Sequence, residues 1–514
     1  MLVLAICCMS LFIVGLDTTI VNVALPSIGR ELHAGVSGLQ WTIDAYSLVL
    51  ASLLMLSGST ADRIGRRRTF QTGLAIFAAG SLACSLAPGL GWLIAFRMLQ
   101  AIGGSMLNPV AMSIITNTFL EPRQRARAIG IWGGVVGLSM ALGPLVGGLL
   151  VETVGWRGIF WVNVPIGIAA IVLTALFVPE SRAPRSRRID PVGQVLVIIL
   201  LAGLVYALIE GPGSGWTSAK ILGCFGVALA ALLALIWYEP RRPEPLIDLR
   251  FFRSAPFSGA VGIAVCAFAT LGGFLLVNTL YLQDVRGYSP ILAGVFTLPM
   301  AAMTAVCSPL SGRLVGSRGT RPSLITAAVG IIAAGLILVH LTATTPVAVL
   351  VLTYVLFGLG FGMVNAPITN STVSGMPTSQ AGVAGGVAST SRQIGSALGV
   401  AVIGSIAVSA LHGPFKTGFA EASRSGWWIM VGCGLALLLL GFLVSGKWAR
   451  QTAQRTATLL LAPGDASARD ASIALPLDSG ELSGQAQTAR TQDREQQPDQ
   501  AKRSGRRAAV PRSR

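Results

Sequence analysis

Three charged residues stand where charge is expensive. Asp17, Asp44 and Arg97 each fall inside a long apolar run, and Gln100 follows Arg97 on the same face if that run is helical. A charge at mid-bilayer costs about 2.5–3.5 kcal/mol on insertion scales, so each of these residues needs a partner or a use. At a rise of 1.5 Å per residue, Asp17 lies about 13 Å from Pro26, taken as the outer end of its helix, while Asp44 and Arg97 lie about 6 and 8 Å below the outer ends of theirs. These depths agree to within about one helical turn, so a single acid–base cluster in the outward half is geometrically allowed. Two chemistries fit it. One is a static ion pair that fixes helix register; the other is a carboxylate that takes and gives a proton as Arg97 moves away and returns.

Glycine spacing supplies the second signal. Gly58-Ser-Thr-Ala-Asp62-Arg63-Ile-Gly65-Arg66-Arg67 places two glycines, an acid and several arginines between two apolar runs, and Gly312-Arg-Leu-Val-Gly316-Ser-Arg-Gly319-Thr-Arg321 repeats Gly-x6-Gly with Arg two residues on. Glycine permits a tight reversal between neighbouring helices, and Asp62 can accept from an arginine or a helix N-terminus. A further run carries Gly137, Gly143, Pro144, Gly147 and Gly148; glycines at four-residue steps make a flat face for close helix approach, and Pro144 removes a backbone bond.

The elements that must position these residues are membrane-spanning helices. Hydrophobic residues make up 53% of the 514, charged residues 11%, and mean hydropathy is +0.70, too little polar surface for a water-soluble globule of this size. Apolar runs long enough to cross about 30 Å of hydrocarbon fall near 2–24, 39–59, 69–87, 92–117, 128–150, 159–178, 191–210, 219–237, 256–283, 290–311, 323–341, 346–373, 382–411 and 426–446, fourteen in all. The first lacks a basic leader and a small-residue cleavage site, so it reads as a span and not a signal peptide, with the natural start expected upstream.

The net charge of +17 would suggest nucleic acid in a soluble domain. Here its distribution is topological. One set of alternate loops holds eighteen Lys and Arg against six in the other set, which places the first set and both termini in the cytoplasm. The glycine-arginine loops recur at an offset of 254 residues, six spans plus two extra. The expected fold is therefore all-α and polytopic: a six-helix bundle over 1–178, an inserted two-helix hairpin with linkers over 179–255, a second six-helix bundle over 256–446, and a disordered cytoplasmic tail over 447–514.

The Gly58–Arg67 loop resembles the signature loop of the major facilitator superfamily, and Gly137-x5-Gly143-Pro144-x2-Gly147-Gly148 resembles the motif that marks its exporters. Leu16-Asp17-Thr18-Thr19 through Pro26 resembles the first-span signature of the fourteen-helix drug:proton antiporters (QacA/EmrB-like), and Arg97-x2-Gln100-x2-Gly103 their fourth-span motif. Similar matches run from Trp156 to Gly167 and from Tyr281 to Pro290. The resemblance implies an inner-membrane multidrug exporter with a major facilitator fold, driven by protons, with Asp17, Asp44, Arg97 and Gln100 in coupling and Gly58, Asp62, Arg63, Gly65, Arg66 and the glycine-proline run in conformational change. The chain departs from such relatives in having Gly316 where the first loop has Asp62, and few acids deep in its later spans.

The remaining expectations are these. Trp41, Tyr46, Trp132, Phe361 and Asn365 are candidates for lining a substrate cavity. Seven cysteines without CxxC spacing and three scattered histidines indicate neither a disulfide framework nor a metal site, and no Walker loop is present, so no cofactor is expected beyond the proton. The partners expected are a small organic molecule, protons and membrane lipid, with no nucleic acid, and the chain is expected to be a monomer and not an enzyme. A proton-coupled importer of a small nutrient, or a non-transporting sensor or scaffold, stays open as an alternative.

Overall fold

The computed structural model describes residues 1–460 except 120, 183–189, 243, 375 and 378–379; the expected disordered tail from 461 onward and Leu120 lie outside the described residues. Residues 1–456 form one compact unit, and of the second unit only 457–460, the end of a helix, are described.

The chain is helical throughout: α1 (Leu2–Leu32), α2 (Val36–Ile64), α3 (Arg66–Ser85), α4 (Leu90–Thr118), α5 (Pro122–Thr153), α6 (Gly158–Trp161), α7 (Asn163–Phe177), α8 (Pro191–Ser214), α9 (Ala219–Tyr238), α10 (Ala255–Leu280), α11 (Pro290–Phe296), α12 (Leu298–Arg318), α13 (Thr320–Val339), α14 (Val347–Gly362), α15 (Asn365–Val373), α16 (Ala381–Ser409), α17 (Phe415–Ala422), α18 (Arg424–Val444) and α19 (Lys447–Leu460). Among the described residues, twelve helical stretches are long and apolar enough to cross a bilayer. Two expected spans fall outside that dozen. Helix α3 begins on three arginines and is diluted by Gly, Ser and Thr, and in α5 several side chains of the apolar run over 128–150 lie outside the described residues.

Several boundaries differ from the sequence reading for reasons of backbone chemistry. Helix α1 runs on through Pro26 to Leu32, so its outer end lies six residues beyond the point expected. Three expected spans break in mid-run, between α6 and α7, between α11 and α12 and between α14 and α15. Each break stands two to four residues before a proline (Pro165, Pro299, Pro367) whose missing N–H leaves the preceding turn without a bond. Residues 447–460, expected as disordered tail, form α19, where Ala449, Ala453 and Thr456 are buried and Thr452 Oγ1 accepts from Ala255 N at 3.0 Å.

Packing follows small residues, as expected where lipid removes the hydrophobic drive between helices. Helices α3 and α4 meet at Gly73 and Gly103, α13 and α14 at Gly330 and Gly360, and α10 and α16 at Gly272 and Gly399. The apolar core has three parts: one within α1–α4 and α7, one spanning α10–α18 and the outer ends of α1, α2 and α4, and one where α8 lies over α2 and α16. Helices α8 and α9 pair with each other, and α8 touches both the N-terminal and the C-terminal helices. Gln194 Nε2 donates to Ser52 O at 2.6 Å, and Leu208 O accepts from Ser405 Oγ at 2.8 Å.

The polar contacts that join the N-terminal to the C-terminal helices cluster toward one end, where α1 and α5 finish and α2 and α11 begin. Gln40 Nε2 donates to Val400 O at 2.8 Å, Gln283 Nε2 to Val23 O at 2.8 Å and Ile291 N to Glu152 at 3.3 Å, and Arg30 lies 3.5 Å from Asp284. The extension of α1 past Pro26 is what carries Arg30 into that seam.

Candidate functional site

Helices α1, α4 and α7 meet at Asp17. Its side chain is fully buried in α1, and its two carboxylate oxygens receive three donors: Arg97 Nη1 from α4 at 2.6 Å, Gln100 Nε2 one turn on at 2.9 Å and Asn163 Nδ2 from the start of α7 at 3.1 Å. Arg97, 1% exposed, also donates to Gln100 Oε1 at 2.7 Å and to Thr42 O of α2 at 3.3 Å. Its guanidinium carbon lies 4.1 Å from the centre of the Tyr46 ring, a cation–π contact that covers one face. Asn163 continues the chain to Ser81 Oγ of α3 at 3.1 Å, and Ser81 donates to Phe160 O at 2.8 Å.

A buried ion pair of this kind is held by saturation: each lone pair and N–H that leaves water has to find a partner, and removing one ion strands the other. The arrangement can therefore do one of two things. Left intact it locks α1 to α4, α3 and α7; if α4 withdraws, it leaves the Asp17 carboxylate without its cation.

The structure brings Asp17, Arg97 and Gln100 together as the spacing suggested, and separates Asp44 from them. Asp44 is fully buried, yet neither carboxylate oxygen has a hydrogen-bond partner and no ion pair reaches it among the described residues. The expected three-charge cluster is corrected to a pair. Depth alone could not reveal this, because the rotation of α2 decides which neighbour Asp44 meets: Tyr46 takes the side facing Arg97, whereas Gln40, one turn before Asp44, reaches α16.

The glycine-proline run of α5 packs on both sides of this site. A Cβ on Gly143 would collide with Thr19 of α1, and one on Gly147 would come within 2.8 Å of Ile20. On the opposite side a Cβ on Gly148 would sit 2.5 Å from Pro290 O, and one on Gly294 of α11 would collide with Pro144 O. The run thus fits α1, two residues from Asp17, against the first turn of the tenth expected span. Gly137 lies in α5, but its surroundings fall outside the described residues.

In the first glycine-arginine loop, Asp62 accepts from Arg66 Nη2 at 3.0 Å, Arg63 is exposed, and Gly58 meets open space. Gly65 has φ +123°, and a Cβ there would meet Glu180 at 2.6 Å. Glu180 accepts from Arg67 N at 3.1 Å and lies 3.8 Å from Arg68, and Arg66 N donates to Ser181 O at 2.9 Å. The loop is therefore clasped by the segment that follows α7. At the matching position of the second loop Gly319 has φ +79°, but a Cβ there would meet nothing within 4 Å.

The cavity candidates scatter. Trp41 Nε1 donates to Glu210 Oε1 of α8 at 2.8 Å and its ring lies 5.8 Å from Tyr206, so it faces the α8–α9 pair. Tyr46 belongs to the Arg97 site. Phe361 is 2% exposed and stacks parallel to Phe357 inside the C-terminal helices, which makes it core. Trp132 and Asn365 are half-buried, and Trp132 Nε1 has no partner. An apolar recess of about 450 Å³ lies elsewhere, between the C-terminal ends of α8 and α16, lined by Leu208, Trp216, Val402 and Ile406.

Asn163, Ser81 and Glu180 were not singled out as site residues from sequence. Asn163 and Ser81 are uncharged polar groups in apolar runs, and treating each such group as a bond in search of a partner would have found them.

Residues 7–400 match the Major Facilitator Superfamily. The chain is 38% identical over 398 residues to the multidrug resistance protein Stp of Mycobacterium tuberculosis, covering 77% of this chain and 74% of that one. It is 39% identical over 412 residues to the tetracenomycin C resistance and export protein of Streptomyces glaucescens, covering 80% and 76%. Among solved structures, the peptide transporter POT in complex with sulfate superposes with a TM-score of 0.62 at 16% identity, covering 89% of this chain and 95% of that one. A bacterial homologue of the human lysosomal transporter Spinster, inward-facing and unoccupied, gives 0.57 at 19%, covering 88% and 97%. The helical architecture and these matches over more than three quarters of the sequence agree, and the chain belongs to the Major Facilitator Superfamily.

Proposed function

We propose that this protein is a drug efflux transporter that exchanges protons for amphipathic organic molecules and moves them outward. Efflux itself rests on relatives at 34–39% identity that are named as drug and antibiotic resistance proteins. The observation that carries proton coupling is the Asp17–Arg97 pair, buried where α1, α4 and α7 meet, with three donors on the Asp17 carboxylate. In the closed pair Arg97 Nη1 donates to Asp17 Oδ2 at 2.6 Å. When α4 withdraws, Asp17 loses its strongest partner and takes a proton; its return expels that proton on the other side. The glycine face of α5 supports export as the direction, because it seats α1 against α11 at the outer seam and so links the state of Asp17 to opening there. Tyr46 and Gln100 complete the proposed coupling set, Asp44 is the rival proton carrier, and Trp132 and Asn365 remain the proposed lining.

The same reading takes α3 and α5 as spans, for fourteen in total, with α8 and α9 as an inserted hairpin in a bacterial inner membrane and both termini cytoplasmic. The protein works as a monomer and needs no cofactor besides the proton. At 100 mV each charge moved contributes about 2.3 kcal/mol, so one proton can sustain a substrate gradient of roughly fiftyfold. In everted vesicles, a fluorescent amphipathic dye should accumulate when respiration acidifies the lumen and leak out when the proton gradient is collapsed. Accumulation that ignores the collapse would rule out proton coupling. A membrane-impermeant thiol reagent should label a cysteine placed at Gly413 from outside intact cells, and labelling only after lysis would overturn the orientation.

A further inference from the structure

The protein holds a second arginine inside a span, and its setting is the opposite of that of Arg97. Arg392 lies in α16, eleven residues and therefore about 16 Å from the start of the helix at Ala381. Its Nη2 donates to Thr369 Oγ1 of α15 at 3.0 Å, its buried Nε has no partner, and no ion pair reaches it among the described residues. The residue is only half-buried and Thr369 is exposed, so one side of the guanidinium fork opens onto accessible space. Asn365 stands one turn before Thr369 on the same face of α15. Two further polar atoms without partners lie at matching depth on the N-terminal helices: Asn108 Oδ1, ten residues from the end of α4, and Trp132 Nε1, ten residues from the start of α5.

An unpaired guanidinium inside a span is an unmet demand for an anion, and its planar fork matches the oxygens of a carboxylate, sulfonate or phosphate. We propose that Arg392 and Thr369 form an anion-recognising subsite for the acidic group of an amphipathic cargo, whose apolar body extends toward Trp132. The proposal rests on the export reading and narrows it, since it names the charge of the cargo. A cargo anion moving outward and a proton moving inward shift charge in the same direction, so the membrane potential assists both.

The test compares two probes that share a ring system, 8-anilinonaphthalene-1-sulfonate and its uncharged parent N-phenyl-1-naphthylamine. They bind the purified full-length chain in nanodiscs of phosphatidylcholine alone, followed by fluorescence. The wild-type protein should hold the sulfonate about tenfold more tightly than the parent amine. Arg392→Gln should bring that ratio to about one, and Arg392→Lys, which keeps the charge and loses the fork, should fall between. A wild-type ratio near one overturns the proposal without any variant, as does a ratio that Arg392→Gln leaves unchanged. Displacement of the sulfonate when phosphatidylglycerol is added to the nanodisc would assign the site to lipid headgroups and overturn it for cargo. Energised uptake of both probes into everted vesicles keeps the two claims apart. Uptake with a binding ratio of one removes the anion site and leaves export standing, whereas a tenfold ratio without uptake does the reverse.

Discussion

The N-terminal and C-terminal helices solve the same packing problem with different chemistry. Around α1 and α4 the buried polar core is ionic, with Asp17, Arg97, Gln100, Asn163 and Ser81 joined in one chain. Around α10 and α14 it is uncharged: Tyr354 donates to Asn278 Oδ1 at 2.6 Å, and Ser311 and Ser323 both donate to Met363 O. The aromatic stack of Phe274, Phe357 and Phe361 fills the rest. A neutral network gains little by coming apart and re-forming, because no charge is created or removed. An ionic one changes its proton affinity when its members separate. The contrast is what the proposed proton exchange at the N-terminal helices, and the proposed anion subsite at Arg392, both rest on.

The comparison is easiest to break at Arg97. Arg97→Ala leaves the Asp17 carboxylate buried without its cation and should cost about 3–5 kcal/mol. The yield of folded protein in the membrane should fall steeply, and recovery should follow if Asp17→Asn is added to remove the stranded charge. Normal yield from the single variant would mean that the pair is not the centre of the N-terminal core.

Gly143→Leu tests whether the site is coupled to the outer seam. The added side chain collides with Thr19, two residues from Asp17, so the protein should insert at near-normal levels and lose export. Unchanged efflux would show that α5 can shift without disturbing α1. The smallest effect is expected from Tyr354→Phe, which deletes one neutral hydrogen bond in the C-terminal core. A loss of about 1 kcal/mol in stability, with proton-driven uptake intact, sharpens the contrast; loss of proton coupling would erase it.

How much of this was legible depended on how unusual each residue was in its setting. A charge in an apolar run is rare enough to announce itself, so depth allowed Asp17 and Arg97 to meet, and helical spacing put Gln100 beside Arg97. The glycine-proline run was equally visible, because little besides close helix approach asks for that spacing. Asp44 was as visible as Asp17 but its partner was not, since helix rotation is set by packing over the whole length of α2. Trp41 and Phe361 were ambiguous because an aromatic ring suits a hairpin contact, a core or a cavity at similar free energy. The breaks before α7, α12 and α15 were hidden in continuous apolar sequence. Proline does not mark them by itself, because Pro26, Pro109, Pro144 and Pro309 lie inside unbroken helices.

The measurement that bears most directly on coupling is substrate-induced proton movement in vesicles reconstituted with Asp17→Asn. The amide keeps the size and one acceptor oxygen for Gln100 and Asn163 but loses the bond to Arg97 and cannot ionise, so in the protein that still folds drug addition should release or take up no protons while substrate exchange down its own gradient persists. Asp44→Asn in the same assay separates the two acids and should retain proton movement. If Asp17→Asn vesicles move protons at the unsubstituted rate, Asp17 is a structural ion-pair partner and the exchanged proton is carried elsewhere.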